Sequence, residues 1–224
     1  MTNKFSAVGS LCSPVLAGVF THKGKQVGET PLDPIASGLD SSRDLLCAHN
    51  NRCAVLSSES LREFAGGGIA ALVGHPGWRT QELMAISKKD GHASALYHAY
   101  LKHGSAFPEL IEGPFSALIL DPQNEKAVAI TDRLGLHPIY YSELDNCVVF
   151  ASSAGGVLGH PEMKKELRED GIYDYVYFHM VPSPVSIYKR LKKIPAGHLI
   201  QLVEGFLTQN TYWLTSFQAD NNAG

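Results

Sequence analysis

Short apolar runs, each stopped by a polar or Gly/Pro cluster, recur along the chain, a pattern of strands more than of long helices. Phe115 to Leu120 ends in Asp121-Pro122-Gln123-Asn124 and Ala127 to Ile130 ends at Asp132-Arg133, so the two read as neighbouring antiparallel strands. A third strand follows at Ile139 to Ser142, with Gly135 at the tight corner before it and Pro138 holding its entry extended. Further strands are predicted at Val15 to Thr21, Cys53 to Ser57, Ile69 to Val73, Cys147 to Ser152 and around His198 to Leu202, with a last one towards Tyr212-Trp213. The clearest helix spans Asp90 to Gly104, with Asp90 as N-cap and Ala93, Leu96, Tyr97, Tyr100 and Leu101 on one face. A short helix is predicted over Asp170 to His179. Residues 23–46, rich in Gly, Pro, Ser and Asp, read as a long excursion with little regular structure. Strands with few helices point to an α+β layered architecture.

Composition narrows the classes. A chain of 224 residues supports one substantial domain that buries roughly 70% of its unfolded surface without staples. The formal net charge of -3 and the absence of a basic stripe argue against nucleic acid as a partner. Ser6, Gly9, Ser10, Ser13 and Pro14 interrupt the mildly apolar segment from Phe5 to Phe20, and no other run is long enough for a membrane span, so no membrane partner is expected. Cys12, Cys47, Cys53 and Cys147 are irregularly spaced, which favours a reducing, cytoplasmic setting.

Two stretches carry a family resemblance: Glu112-Gly113-Pro114-Phe115-Ser116-Ala117-Leu118-Ile119-Leu120-Asp121, and Asp132-Arg133-Leu134-Gly135-Leu136-His137-Pro138-Ile139-Tyr140-Tyr141. They are followed in order by Asp174-Tyr175, Val181-Pro182-Ser183-Pro184, Ser186-Ile187-Tyr188, Ile194-Pro195-Ala196-Gly197-His198 and Tyr212-Trp213. The series resembles the N-terminal glutaminase domain of glutamine-dependent asparagine synthetases, a class II glutamine amidotransferase. It is dense from Ala95 to Trp213 and thin before residue 90, and Ser153 and Gly155 stand where the family usually has Glu and Lys. The resemblance implies a four-layer αββα sandwich of the N-terminal-nucleophile (Ntn) hydrolase type. It also implies an extension over residues 1–16, a glutaminase-like domain over 17–213, and a polar tail or linker over 214–224.

Such domains attack the glutamine amide with an N-terminal cysteine whose own α-amine is the base. On the resemblance, the Cys-Gly-Ile strand matches Ala17-Gly18-Val19, which puts a methyl group in place of the thiol. The oxyanion donors, an Asn side chain and the following Gly N–H, fall on Val73 and Gly74, and the acid that receives the α-ammonium falls on His92. Arg52, in Ala48-His49-Asn50-Asn51-Arg52, matches the Arg that clamps the substrate carboxylate. Ala17, Arg52, Val73, Gly74 and His92 therefore make up an expected vestigial glutamine pocket without a catalytic residue.

Other constellations read more simply. Cys12 would become an N-terminal nucleophile only if the chain were cut after Leu11, and Thr2, once Met1 is removed, reads as a polar terminus. Cys47, His49 and Cys53 lack a fourth ligand at zinc-site spacing; His92, His98 and His103 do not share a helix face; Gly66-Gly67-Gly68 is a turn and not a phosphate loop. Tyr173, Tyr175 and Tyr177 beside Phe178 read as packing or an interface.

The expected function is an asparagine-synthetase-like domain without glutaminase activity, serving a structural, binding or regulatory role. It needs no cofactor of its own, ATP and Mg entering only with an attached synthetase domain, in cis or in trans. Glutamine or another small ligand, and a second copy of the chain, are the remaining candidate partners. The alternative is an active glutaminase that supplies ammonia for ATP-dependent asparagine synthesis; a stand-alone binding protein is a third reading.

Overall fold

The structure, a computed structural model, describes residues 14–22, 32–39 and 44–216. Two six-stranded sheets, in which every pairing is antiparallel, account for most of it. The first contains β1 (Leu16–Thr21), β2 (Leu46–His49), β3 (Cys53–Ser57), β10 (Tyr140–Glu143), β11 (Cys147–Ala151) and β12 (Lys192–Lys193), in the order β12-β10-β11-β1-β3-β2. The second contains β4 (Ser60–Glu63), β5 (Ile69–Gly74), β8 (Phe115–Asp121), β9 (Lys126–Thr131), β13 (His198–Val203) and β14 (Phe206–Thr211), in the order β14-β13-β9-β8-β5-β4. A small ladder joins β6 (Gly77–Trp78) to β7 (Ile111–Glu112).

Side-chain alternation with period two sorts the apolar residues into three layers. Leu16 and Phe20 of β1 meet Ile69, Ala71 and Val73 of β5 and Leu118 of β8 between the sheets. Ala17 and Val19 point the other way, onto Ile35 of α1 (Leu32–Ser37) and Val157 of α4 (Ala154–Leu158). Ala70 and Leu72 face α2 (Gln81–Asp90) and α3 (His92–His103) through Leu83, Leu96 and Ala99. The result is the αββα sandwich that the resemblance implied.

The α1–α4 contact explains a departure from the family pattern. A Cβ on Gly155 would lie 2.4 Å from the Gly38 carbonyl oxygen, so the lysine usual there has no room. Ser153 instead caps α4, its Oγ accepting from Gly156 N–H at 3.1 Å and donating to the Gly38 carbonyl at 3.2 Å.

Several expectations change. The helix expected over Asp90 to Gly104 is α3, but it begins at His92: Asp90 ends α2, a helix that was not expected, and Gly91 breaks the chain between the two at φ +87°. Thr80, not Asp90, provides a side-chain cap, to α2. The buried stripe of α3 runs through Ala93, Leu96 and Ala99, and Leu101 is exposed. Helix α1 lies within the segment expected to be irregular, and β2 and β4 add edge strands.

The β8–β9 pair forms as expected, with Ala117 opposite Ile130. The third strand, β10, crosses to the other sheet. Its approach is organised by the buried carboxylate of Asp132, which accepts the backbone N–H groups of Leu134, Leu136 and His137 at 2.9, 3.2 and 3.0 Å. Gly135 turns this corner at φ +66°. The short helix is α5 (Glu169–Phe178).

Candidate functional site

Three consecutive side chains at the β3–β4 junction tie together the elements around the expected site. Ser58 Oγ accepts from Val15 N–H at 2.9 Å, while Ser58 N–H donates to the Val15 carbonyl at 2.9 Å. Glu59 Oε2 accepts from Gly74 N–H at 2.7 Å, and Ser60 Oγ accepts from Ala93 N–H at 2.9 Å. The opening of β1, the end of β5 and the first turn of α3 are thus held at one edge of the sandwich. Ser152 closes the opposite flank of β1, its Oγ accepting from Leu16 N–H at 3.1 Å.

Gly74 is required where it stands. Its φ is +101°, and an added Cβ would lie 2.4 Å from the Pro114 carbonyl oxygen and 3.1 Å from His137 Cδ2. Beside it, His92 is fixed through Nδ1, which accepts from Trp78 Nε1–H at 3.1 Å and meets Ser87 Oγ at 2.8 Å. Burial holds the His92 pKa below its ordinary value; Glu59 opposes that shift and His75 adds to it. An Nδ1 that accepts a hydrogen bond belongs to a neutral imidazole, and the helix N-terminus further disfavours a cation. His92, which the resemblance was expected to set where an acid receives an ammonium, is thus a neutral group.

Gly74 and His92 come together, linked by Glu59, and Val73 precedes Gly74 with its side chain buried in the inter-sheet core. Ala17 does not line this edge. It is fully buried in the layer under α1 and α4, paired on one side with Ala151 and on the other with Leu56. Strand pairing already exists at Val15, so a nucleophile at a strand opening would stand at Pro14 or Val15 and not at Ala17.

Arg52 is elsewhere altogether. It sits at the start of β3, beside the far end of β1, roughly 17 Å from Leu16 at the rise of a strand. Its guanidinium donates to the Pro122 and Thr21 carbonyls at 3.1 Å each, lies 5.5 Å from the Phe20 ring centroid and pairs with Glu125 at 3.5 Å. It borders a separate cavity of 450 Å³ at that end, lined also by His22, Glu143 and Glu204. There it fastens a sheet corner, and no contact links it to Gly74. Cys12 and Thr2 lie outside the described residues.

Glu59, Trp78, His75 and His137 were not singled out in the sequence. Glu59 sits in the polar Ser57-Ser58-Glu59-Ser60 run immediately after an apolar strand, a signal for a strand end at a sheet edge.

The described thiols are poor nucleophiles. Burial pushes Cys53 up to about 11 and Cys147 up to about 12, and raises Cys47 as well. Cys147 Sγ faces His160 Nε2 at 3.7 Å, where burial keeps the imidazole neutral. Among the described residues no three His, Cys, Asp or Glu side chains are grouped to hold a metal ion, and no helix is long and apolar enough to cross a membrane.

The family model of the glutamine amidotransferase domain matches residues 80–213. Asparagine synthetase [glutamine-hydrolyzing] 2 of Bacillus subtilis is 25% identical over 146 residues, covering 61% of this chain and 20% of that protein. Putative asparagine synthetase [glutamine-hydrolyzing] 2 of Methanocaldococcus jannaschii is 31% identical over 118 residues, covering 51% of this chain and 23% of that protein. The chain thus spans about a fifth of these relatives' length. Among solved structures, glutamine phosphoribosylpyrophosphate amidotransferase from B. subtilis superposes with a TM-score of 0.56 at 11% identity, covering 90% of this chain and 50% of that one. The sandwich, the ordered motifs and the matched span together make this chain a member of the glutamine amidotransferase domain family, of the asparagine-synthetase-like class II type.

Proposed function

We propose that this domain does not hydrolyse glutamine and that it serves a synthetase-type partner in a structural, binding or regulatory role. The observation that carries the reading is the Glu59 carboxylate on Gly74 N–H. Amide hydrolysis gathers negative charge on the oxygen that this N–H would stabilise, and losing one such donor costs about 10²–10³ in rate. Here the donor is engaged by an anion, so the developing charge would meet repulsion as well as a missing hydrogen bond. Val73, in place of the second donor, offers no polar group, and His92 offers a neutral ring to an α-ammonium. The vestigial pocket on this reading comprises Val73, Gly74 and His92 with Glu59 between them. ATP and Mg would belong to the partner.

The test is incubation of the purified protein with L-glutamine and measurement of glutamate and ammonia. No release above that of a thiol-alkylated sample is expected. A rate that disappears on alkylating one specific cysteine would overturn the proposal.

One observation favours a second reading. Pairing of β1 opens at Val15, at the same edge as Gly74, so a chain processed after Leu11 would carry Cys12 only a few residues ahead of that edge. Intact-mass measurement distinguishes the two: an N-terminus at Cys12 together with glutamate release supports an ammonia-supplying glutaminase.

A further inference from the structure

The two-residue strand β12, at the end of its sheet, sets one lysine against an apolar hollow. It pairs with β10 so that Lys193 stands opposite Tyr140 and Lys192 opposite Tyr141. Tyr141 turns into the inter-sheet core and Tyr140 into the layer under α1 and α4, so alternation sends the two lysines to opposite faces of the edge. Lys192 is exposed and Lys193 half-buried. The Lys193 ammonium lies 5.8 Å from the centroid of the Tyr140 ring, and among the described residues it has no carboxylate partner. A cation held against a low-dielectric wall without a counter-ion attracts an anion more strongly than one in open water.

The hollow has a volume of 350 Å³, within the range of about 300–1,000 Å³ that encloses small ligands. Tyr140, Tyr175, Met180, Val185, Ile187 and Leu191 form most of its wall, and of all the residues lining it only Lys193 carries a charge. Its shape is fixed by the turn over residues 184–191. Ser186 Oγ accepts from Tyr188 N–H at 3.1 Å and donates to the Leu191 carbonyl at 2.8 Å, and Lys193 N–H donates to the Pro184 carbonyl at 2.8 Å. On the other side, Gly171 of α5 sits so close that an added Cβ would lie 3.1 Å from Ile187 Cα. The exposed rings of α5, Tyr173, Tyr177 and Phe178, contribute nothing to the lining, so the hollow is a feature separate from the face they form.

We propose that this hollow binds an apolar monocarboxylic acid, its alkyl or aryl body against Tyr140, Val185 and Leu191 and its carboxylate on the Lys193 ammonium. The charge pattern selects the class. A mostly apolar lining with a single cation satisfies one negative group. A neutral apolar molecule would leave the ammonium unpaired, a dianion would press its second charge on the apolar wall, and a cationic amphiphile would be repelled. Nothing in the arrangement depends on whether glutamine is split, because the Glu59–Gly74 edge contributes no residue to it.

The test is isothermal titration calorimetry of the full 224-residue chain with three probes: decanoate below its micellar concentration, 3-phenylpropanoate and decylamine. At least one of the two acids is expected to bind at one site per chain, and the one that binds tells whether the body is alkyl or aryl. Decylamine is expected not to bind. Lys193→Met keeps the stem and removes the charge, and is expected to weaken the acid by at least about tenfold with an unchanged circular dichroism spectrum. Lys192→Met, on the opposite face, is expected to leave the affinity as it was. Val185→Trp, which fills the hollow, is expected to abolish binding; should it misfold, the two lysine variants decide alone. The proposal is overturned if neither acid binds at about 1 mM, if decylamine binds as well as decanoate, or if both lysine variants weaken the acid equally. The first of these results would leave the hollow to a side chain of a protein partner.

Discussion

Replacing Glu59 with alanine removes the acceptor for Gly74 N–H, and the cost follows from the bond. A hydrogen bond to a charged group contributes about 1.5–3 kcal/mol, and this one is short at 2.7 Å and half-buried. Glu59→Ala is therefore expected to destabilise by about 2 kcal/mol, which for a domain of this size lowers Tm by roughly 4–8 °C. Glu59→Gln keeps an oxygen acceptor without the charge and is expected to lose about 1 kcal/mol. The same carboxylate raises the His92 pKa against the effect of burial, so both substitutions move the His92 titration further down. Urea denaturation measures the first effect, and NMR titration of the imidazole measures the second. If Glu59→Ala changes neither the urea midpoint nor the His92 titration, the carboxylate does not engage Gly74 in solution, and the main support for an inactive site is gone. Clearing the carboxylate supplies no thiol, so glutamate release is expected to remain absent in both variants.

Three further outcomes follow from the same structure. Asp132→Ala strips the acceptor from three backbone N–H groups in a buried corner and is expected to cost at least about 3 kcal/mol; Asp132→Asn, which retains one oxygen, is expected to cost less, both read from urea midpoints. Phe150→Ala, fully buried between the sheets, is expected to cost about 3–5 kcal/mol, while Leu101→Ala on the exposed flank of α3 stays within about 0.5 kcal/mol by the same assay. His92 and His160 both have folded pKa values below their ordinary 6.5, so the unfolded chain binds protons first as pH falls. Stability present above about 6.5 is then lost as pH drops through the window towards the folded values. A Tm series from pH 7.5 to about 5 should fall in the wild type and flatten in the His92→Gln, His160→Gln double variant.

The fold was legible where apolar runs are continuous and local turn chemistry ends them. Cys53–Ser57 is the observed β3 to the residue, and β5, β8, β9 and β11 differ from expectation only at their ends. The misses are elements whose cause lies far along the chain. Edge strands β2 and β4 carry mostly exposed side chains and owe their conformation to pairing with β3 and β5. Helix α1 is short, and its tight seat on α4 depends on two glycines, Gly38 and Gly155, that are remote in sequence. The break between α2 and α3 was written in Gly91, but Asp90 is an equally good capping residue by type, and only the packing of Ala93, Leu96 and Ala99 decides between them.

The site divides along the same line. His92 was placed by its spacing from Gly104, and Val73 and Gly74 by the likeness of the Ile69–Gly74 strand; Gly74 and His92 lie at one edge, while the Val73 side chain turns into the inter-sheet core. Ala17 and Arg52 were likewise placed by local similarity before residue 90, where motifs are thin, and the structure separates them from that edge. What fixes the opening of β1 is a pair of serine hydroxyls 43 and 136 residues away, Ser58 and Ser152, and no local pattern announces that they will converge. The physical case for inactivity therefore shifts from the residue at position 17 to the charge beside Gly74. A thiol absent from the strand opening is one obstacle, and a carboxylate bonded to the expected oxyanion donor is another that acts independently of it. On the proposed reading, a cysteine supplied at the opening of β1 would still face Glu59, so glutaminase activity should require both the thiol and removal of that charge. Activity from the thiol alone would mean that Glu59 leaves Gly74 when substrate binds.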